Sequence, residues 1–135
     1  MAESRPIAAP RASAAVPACI LAWLLPGAGH LYLRRTTKGL ILMGALGALF
    51  LLGLAMDARM QLYVGLDDPL AFLRSLAQMA LGLPYLLARG LGFGVDANLI
   101  TSVTHEYGNT FTEVGGLLNI LVILDAYDTA LGRKP

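Results

Sequence analysis

Charge is scarce in this chain, and cysteine and the familiar catalytic signatures are scarcer still. Only 14% of its 135 residues are charged, against roughly 25% in an average soluble domain. Ten Lys and Arg stand beside nine Asp and Glu, for a net charge of +1. Nucleic acid as a partner therefore has no electrostatic support. The single cysteine, Cys19, excludes an internal disulfide and any cysteine-based zinc cluster. It lies in an apolar run, where the thiol behaves as a small hydrophobe. No long apolar stretch precedes it, which argues against a lipoprotein anchor at AVPAC. There is no GxSxG elbow, Walker loop, HExxH or dinucleotide fingerprint. GLGFG at Gly90 to Gly94 lacks the strand that leads into a phosphate loop. The expectation is a chain that is not an enzyme, with no catalytic residue, cofactor or metal.

What the chain has instead is apolar length. Gly39 to Met56, GLILMGALGALFLLGLAM, contains no charge, no proline and no polar side chain. As a helix it would reach about 27 Å at 1.5 Å per residue, close to the ~30 Å hydrocarbon core of a bilayer. Arg34, Arg35 and Lys38 precede it, and Asp57 and Arg59 follow. A helix buried in a soluble protein keeps a polar face, and this one has none. Short loops rich in Lys and Arg stay cytoplasmic, which places RRTTK (Arg34 to Lys38) inside and points the helix outward. Gly44 and Ala48 form a small-xxx-small pair that would admit a neighbouring helix.

The flanking segments are less regular. Residues 1 to 17, with Pro6, Pro10 and Pro17, read as a flexible tail; no small-residue cleavage site follows, which argues against a removed signal peptide. Residues 18–135 then form one membrane-embedded domain. Ala18 to Leu33 is apolar but short, with Pro26-Gly27 inside it. Backbone groups freed there must be buried in protein or face water, so the segment is either a kinked span or a hairpin dipping in from one side. Trp23 and Tyr32 suit its interfacial ends. Asp67-Asp68-Pro69 is a helix start. In Leu70 to Phe93, helical spacing gathers Arg74, Gln78, Gly82, Tyr85 and Arg89 on one stripe. Two readings compete: a span with its arginines reaching opposite interfaces, narrowly preferred, or a helix lying flat at the surface. Gly94 to Asn109 reads as a polar loop, and Thr110 to Leu131 as the last membrane helix, stopped at Gly132. The expected fold is an all-α bundle of three to four membrane helices.

The last helix carries Glu113, Asn119, Asp125 and Asp128. Ionisable groups in membrane helices usually face the bundle interior. Asp125 is expected to pair with Arg34, Arg35 or Lys38, a structural role rather than a proton relay. His30 reads as a hydrogen-bonded turn residue and His105 as a loop residue. A metal site among His30, His105, Glu106, Asp125 and Asp128 is not demanded by their spacing.

Two stretches carry a resemblance. LAWLLPGAGHLYLRRTTKGL (Leu21–Leu40) resembles the first half of the two-helix "TM-two" domain, and GGLLNILVILDAYDTALG (Gly115–Gly132) its second half with a late acid, Asp125. The aromatic-tyrosine-glycine step of that pattern is Leu31-Tyr32-Leu33-Arg34 here. As a whole the chain is similar to a group of small uncharacterised bacterial membrane proteins in which an AWLLPGAGH-like opening and an LLN-LDAYD-like ending flank variable apolar helices. The resemblance implies a multi-pass inner-membrane protein and no particular activity. The function expected is that of an accessory or scaffolding subunit, partnered by the bilayer and by a second copy or a larger membrane protein. The alternative is an oligomeric small transporter or channel lined by Arg74, Gln78, Tyr85 and Arg89. A membrane-embedded hydrolase using His30 or His105 with Asp125 is a third reading.

Overall fold

The computed structural model describes residues 12–60, 62–95 and 103–133, and among these the regular structure is helical throughout. The elements are α1 (Ala12–Leu24), α2 (Ala28–Tyr32), α3 (Thr36–Ala55), α4 (Pro69–Met79), α5 (Leu83–Gly90) and α6 (His105–Ala130). Two of them, α3 with 20 residues and α6 with 26, are long and apolar enough to cross a membrane. At 1.5 Å per residue they measure about 30 and 39 Å. They run antiparallel: Lys38 at the start of α3 meets Asp125 late in α6, while Gly53 near the end of α3 packs on Thr112 early in α6. The two ends of this pair differ in charge. The end holding Arg34, Arg35, Lys38 and Arg133 is called here the basic end, and the one holding Asp57, Asp67, Asp68 and Glu106 the acidic end.

The other four helices pair into hairpins. From the basic end α1 runs antiparallel to α6, with Cys19 beside Ile123 and Ala22 beside Asn119. At Pro26 the helix loses a backbone donor, and Gly27 takes φ +87°. The chain then doubles back as α2, which returns His30 to the level of Asp125. Of the two readings for Ala18–Leu33, the structure adopts the hairpin. The second hairpin enters from the acidic end. Asp68 caps α4 by accepting from the N–H groups of Leu70 and Ala71 at 3.1 and 3.2 Å, with Pro69 at the first helical position as expected. α4 runs parallel to α6, placing Ala77 against Gly116 and Ala80 against Asn119. It breaks at Gly82 (φ +72°), and α5 leaves at 105° to it. α5 brings Arg89 and Gly94 back to Met60, at the end where α4 entered. Leu70–Phe93 is therefore not one straight helix but a unit bent by 105°, a broken span or a re-entrant loop, and Arg74 and Arg89 share one end instead of reaching opposite interfaces. A stripe of helical spacing cannot reveal this, because it assumes one continuous axis.

Each half of the chain is thus a hairpin followed by a helix long and apolar enough to cross a membrane, and the two hairpins point at each other. Of the three to four membrane helices expected, two are long and apolar enough to cross, or three if α4 and α5 count as one bent span. Residues 1–11 of the expected tail, and 96–102 of the expected polar loop, lie outside the described residues. α1 begins at Ala12, so Pro17 sits inside a helix instead of ending the tail. The helix survives because Ala15, Ala18 and Ala22 are buried against the bundle, and that packing outweighs one missing hydrogen bond. Likewise α6 begins at His105, five residues before the expected start, because His105, Gly108 and Asn109 are buried.

Burial differs from that of a soluble protein. The inside mixes small and polar side chains with a few large ones: His30, Gln78, Thr112 and Asn119 are fully buried with Ala18, Ala22 and Ala126, beside Leu81, Met60 and Tyr85. The outside is large and apolar, with Ile41, Leu51 and Leu121 each 60–65% exposed. Lipid tails are as apolar as leucine, so burying leucine gains little there, while close packing and interhelical hydrogen bonds hold helices together.

Candidate functional site

The buried face of α6 carries polar groups at three depths, and each gathers partners from other elements. The central one is Asn119, 14 residues or about 21 Å along the helix from His105. Its Nδ2 donates to the carbonyl of Ala22 at 3.2 Å and to that of Ala80 at 2.8 Å. In a continuous helix the carbonyl of residue i is taken by the N–H of residue i+4. For Ala22 that residue is Pro26, and for Ala80 it is Pro84; neither has an N–H. One amide thus serves two carbonyls that prolines leave open, one on each hairpin. Trp23 Nε1 adds a bond to the carbonyl of Met79 at 3.3 Å, so the hairpin tips are tied directly as well. Asn119 Oδ1 is buried and has no hydrogen-bond partner.

At the basic end Asp125 Oδ2 lies 2.7 Å from His30 Nε2 and 2.5 Å from Lys38 Nζ. The carboxylate is 19% exposed and Lys38 48%, whereas His30 is fully buried. Since a carboxylate accepts, the geometry assigns the proton to Nε2; Nδ1 is left buried with no hydrogen-bond partner. Of the three cations weighed for Asp125, Lys38 makes the contact, and Arg34 and Arg35 do not. Asp128 pairs instead with Arg133 at 3.4 Å near the surface.

At the acidic end a polar web holds the segment after α3. Asn109 Oδ1 accepts from the Arg59 N–H at 2.7 Å, and Asn109 Nδ2 donates to His105 Nε2 at 3.2 Å. His105 Nδ1 then faces the carbonyl of Asp57 at 3.2 Å. Gln78 Nε2 donates to the carbonyl of Arg59 at 2.9 Å and to Thr112 Oγ1 at 3.0 Å. Arg89 donates to the carbonyl of Met60 at 2.6 Å, and its charge stands beside Tyr85. Arg74 Nε stands 3.9 Å from Glu113 Oε1. The stripe Arg74, Gln78, Tyr85 and Arg89 is therefore assembled in one place, but Gln78, Tyr85 and Arg89 are turned onto the chain's own residues 59 to 60 and each other. His105 is a helical residue with two partners and not part of a loop.

Sequence reasoning missed Arg59, Thr112 and Asn109 as members of this web. Nothing in their spacing marks them, because two of the contacts run through backbone atoms of an irregular segment. The role of Asn119 did have a signal. Ala22-Trp23-Leu24-Leu25-Pro26 and Ala80-Leu81-Gly82-Leu83-Pro84 share the register Ala-x-x-Leu-Pro, so two orphaned carbonyls were countable in advance. Chemically, most of the buried polar atoms are engaged with one another, His30 Nδ1, Glu113 Oε1 and Asn119 Oδ1 being the exceptions, and no group of three His, Cys, Asp or Glu able to hold a metal occurs among the described residues.

Residues 17–135 match a family described only as a family of unknown function, DUF6677. No curated protein and no solved structure matches the chain.

Proposed function

The chain belongs to the family of unknown function DUF6677, and on that premise we propose that it is a non-enzymatic accessory or scaffolding subunit of the bacterial inner membrane, acting by helix packing. The observation that carries this reading is how the polar interior is used. Asn119 spends its donors on the chain's own backbone, and Gln78 on the Arg59 carbonyl and the Thr112 hydroxyl, while the outward faces present apolar side chains. A protein with that distribution offers its surface to neighbours, not its interior to a substrate. The charge balance supports an orientation. Among the described residues the basic end has four cations and two carboxylates, and the acidic end three cations and five carboxylates. The positive-inside rule then favours Arg34 to Lys38 on the cytoplasmic side.

One observation favours a second reading, a small oligomeric transporter. Two hairpins entering from opposite faces and meeting at mid-depth resemble the inverted repeats and broken helices of secondary transporters, whose sites lie at the midplane. A paired experiment separates the two. Capture of the full-length protein in mild detergent, followed by mass spectrometry, is expected to retain a stoichiometric membrane partner or a second copy. Purified protein in vesicles is expected to pass no ions or small solutes. Flux that Asn119→Ala abolishes, with no partner retained, would replace the first reading by the second.

A further inference from the structure

A cleft of about 320 Å³ runs between α3 and α6. Leu42, Leu46 and Leu49 of α3 and Leu121 of α6 form its walls, and Lys38 and Asp125 stand at one end. From Lys38 to Leu49 is 11 residues, about 16 Å along the helix, or about half of the ~30 Å hydrocarbon core. It is apolar for the depth of one leaflet and charged only at its mouth. We propose that the cleft is a binding site for one acyl chain of an anionic phospholipid, whose phosphate lies against Lys38, Arg34 and Arg35 at the basic end.

The mouth is built for a phosphate. Arg34 is exposed, and no carboxylate of the described residues pairs with it or with Arg35. The first turn of α3 has no side-chain cap, so its free N–H groups and dipole add positive potential at the same place. Asp125 is the carboxylate lining the cleft, and alone it would repel a phosphate. Lys38 at 2.5 Å offsets its charge, and His30 donates a hydrogen bond to it at 2.7 Å. A helix from a second copy could fill the same cleft, but it would bring no anion to the unpaired arginines; charge complementarity selects the lipid.

The test uses the full-length protein in a mild non-ionic detergent, freed of lipid and then offered phosphatidylglycerol, phosphatidylcholine or inorganic phosphate. Native mass spectrometry counts adducts and thermal unfolding reads stabilisation. The expected result is one phosphatidylglycerol per protomer with a raised Tm, and no comparable effect from phosphatidylcholine or phosphate. Arg34→Gln with Arg35→Gln should weaken phosphatidylglycerol about 30-fold, from about 1 kcal/mol per cation, without changing the Tm of the lipid-free protein. Ala45→Phe, at an exposed position lining the cleft, should abolish the adduct while the arginine pair is intact. Equal retention of phosphatidylcholine, or an equal shift from inorganic phosphate, overturns the proposal. So does an Ala45→Phe variant that loses self-association but keeps its lipid. Should Ala45→Phe fail to fold, the loop variant decides alone, since unchanged affinity there refutes the headgroup contact.

Discussion

Asn119 does at the scale of one residue what each hairpin needs at the scale of an element. A helix broken at membrane depth leaves carbonyls with no water to bind, at a cost of several kcal/mol each. An asparagine amide has two N–H donors on one atom, so a single side chain can close two breaks that converge on it. Asn119→Ala is expected to destabilise the protein by about 1–3 kcal/mol, the range for leaving buried acceptors unpaired, moderated by the small net worth of hydrogen bonds in membranes. Reversible unfolding in mixed micelles measures it. Pro26→Ala restores an N–H four residues after Ala22, so in that background the Asn119→Ala penalty should shrink by about 0.5–1 kcal/mol. Equal penalties in both backgrounds would show that Asn119 does not stand in for the proline's missing donor. The buried asparagine was legible as a polar residue facing the bundle; what it faced was not, because its partners are backbone atoms 97 and 39 residues away.

Among the elements, the contact between the two hairpin tips is one of the tightest. Gly82 holds φ +72°, a conformation L side chains rarely adopt, and a Cβ there would overlap the carbonyl of Trp23. Gly82→Ala must therefore push the hairpins apart as well as strain the backbone. A loss of more than about 2 kcal/mol is expected, given that αL and overpacking costs add. Gly90, in the last turn of α5, has open space around its missing Cβ. Gly90→Ala should be neutral or stabilising by up to about 1 kcal/mol. Thermal unfolding of the pair reads the contrast, and similar losses at both sites would mean that the tips do not meet tightly. Sequence marked both breaks through Pro26-Gly27 and through Pro84 with Gly82. It did not reveal the direction of the second hairpin, since a proline says where a helix stops and nothing about where the chain goes next.

For the whole molecule, two hairpins and two long apolar helices set which segments share an end. In a Cys19→Ser background, Thr36→Cys and Arg133→Cys should react with an impermeant thiol reagent from one face of the membrane. Asp68→Cys, Leu91→Cys and Thr104→Cys should react from the other. The decisive pair is Asp68 and Leu91, at the two ends of the α4–α5 unit. Labelling from opposite faces would mean that α4 and α5 cross as one broken span. The same fold brings the ends of the described chain, α1 and the close of α6, to the basic end, where Arg34, Arg35, Lys38 and Arg133 collect. As four full spans the segments would have carried Arg133 away from the basic loop, against the positive-inside rule; turning two of them back removes that conflict.

The amino-acid sequence alone determined the solvent this protein folds in. A run of 18 apolar residues and a charged fraction of 14% are local and additive properties, and the free energy of moving them into lipid is a sum over residues. It also marked the breaks beside Pro26-Gly27 and Pro84, because proline and glycine act within a turn of themselves, although packing overrode Pro17 inside α1. Only the tertiary structure decided that two broken helices enter from opposite ends and are closed by one asparagine. It alone decided that Lys38, and not Arg34 or Arg35, reaches Asp125, and that the Arg74–Arg89 stripe grips the chain's own loop. Those outcomes depend on pairs of groups tens of residues apart, and such couplings exist only once the helices have packed.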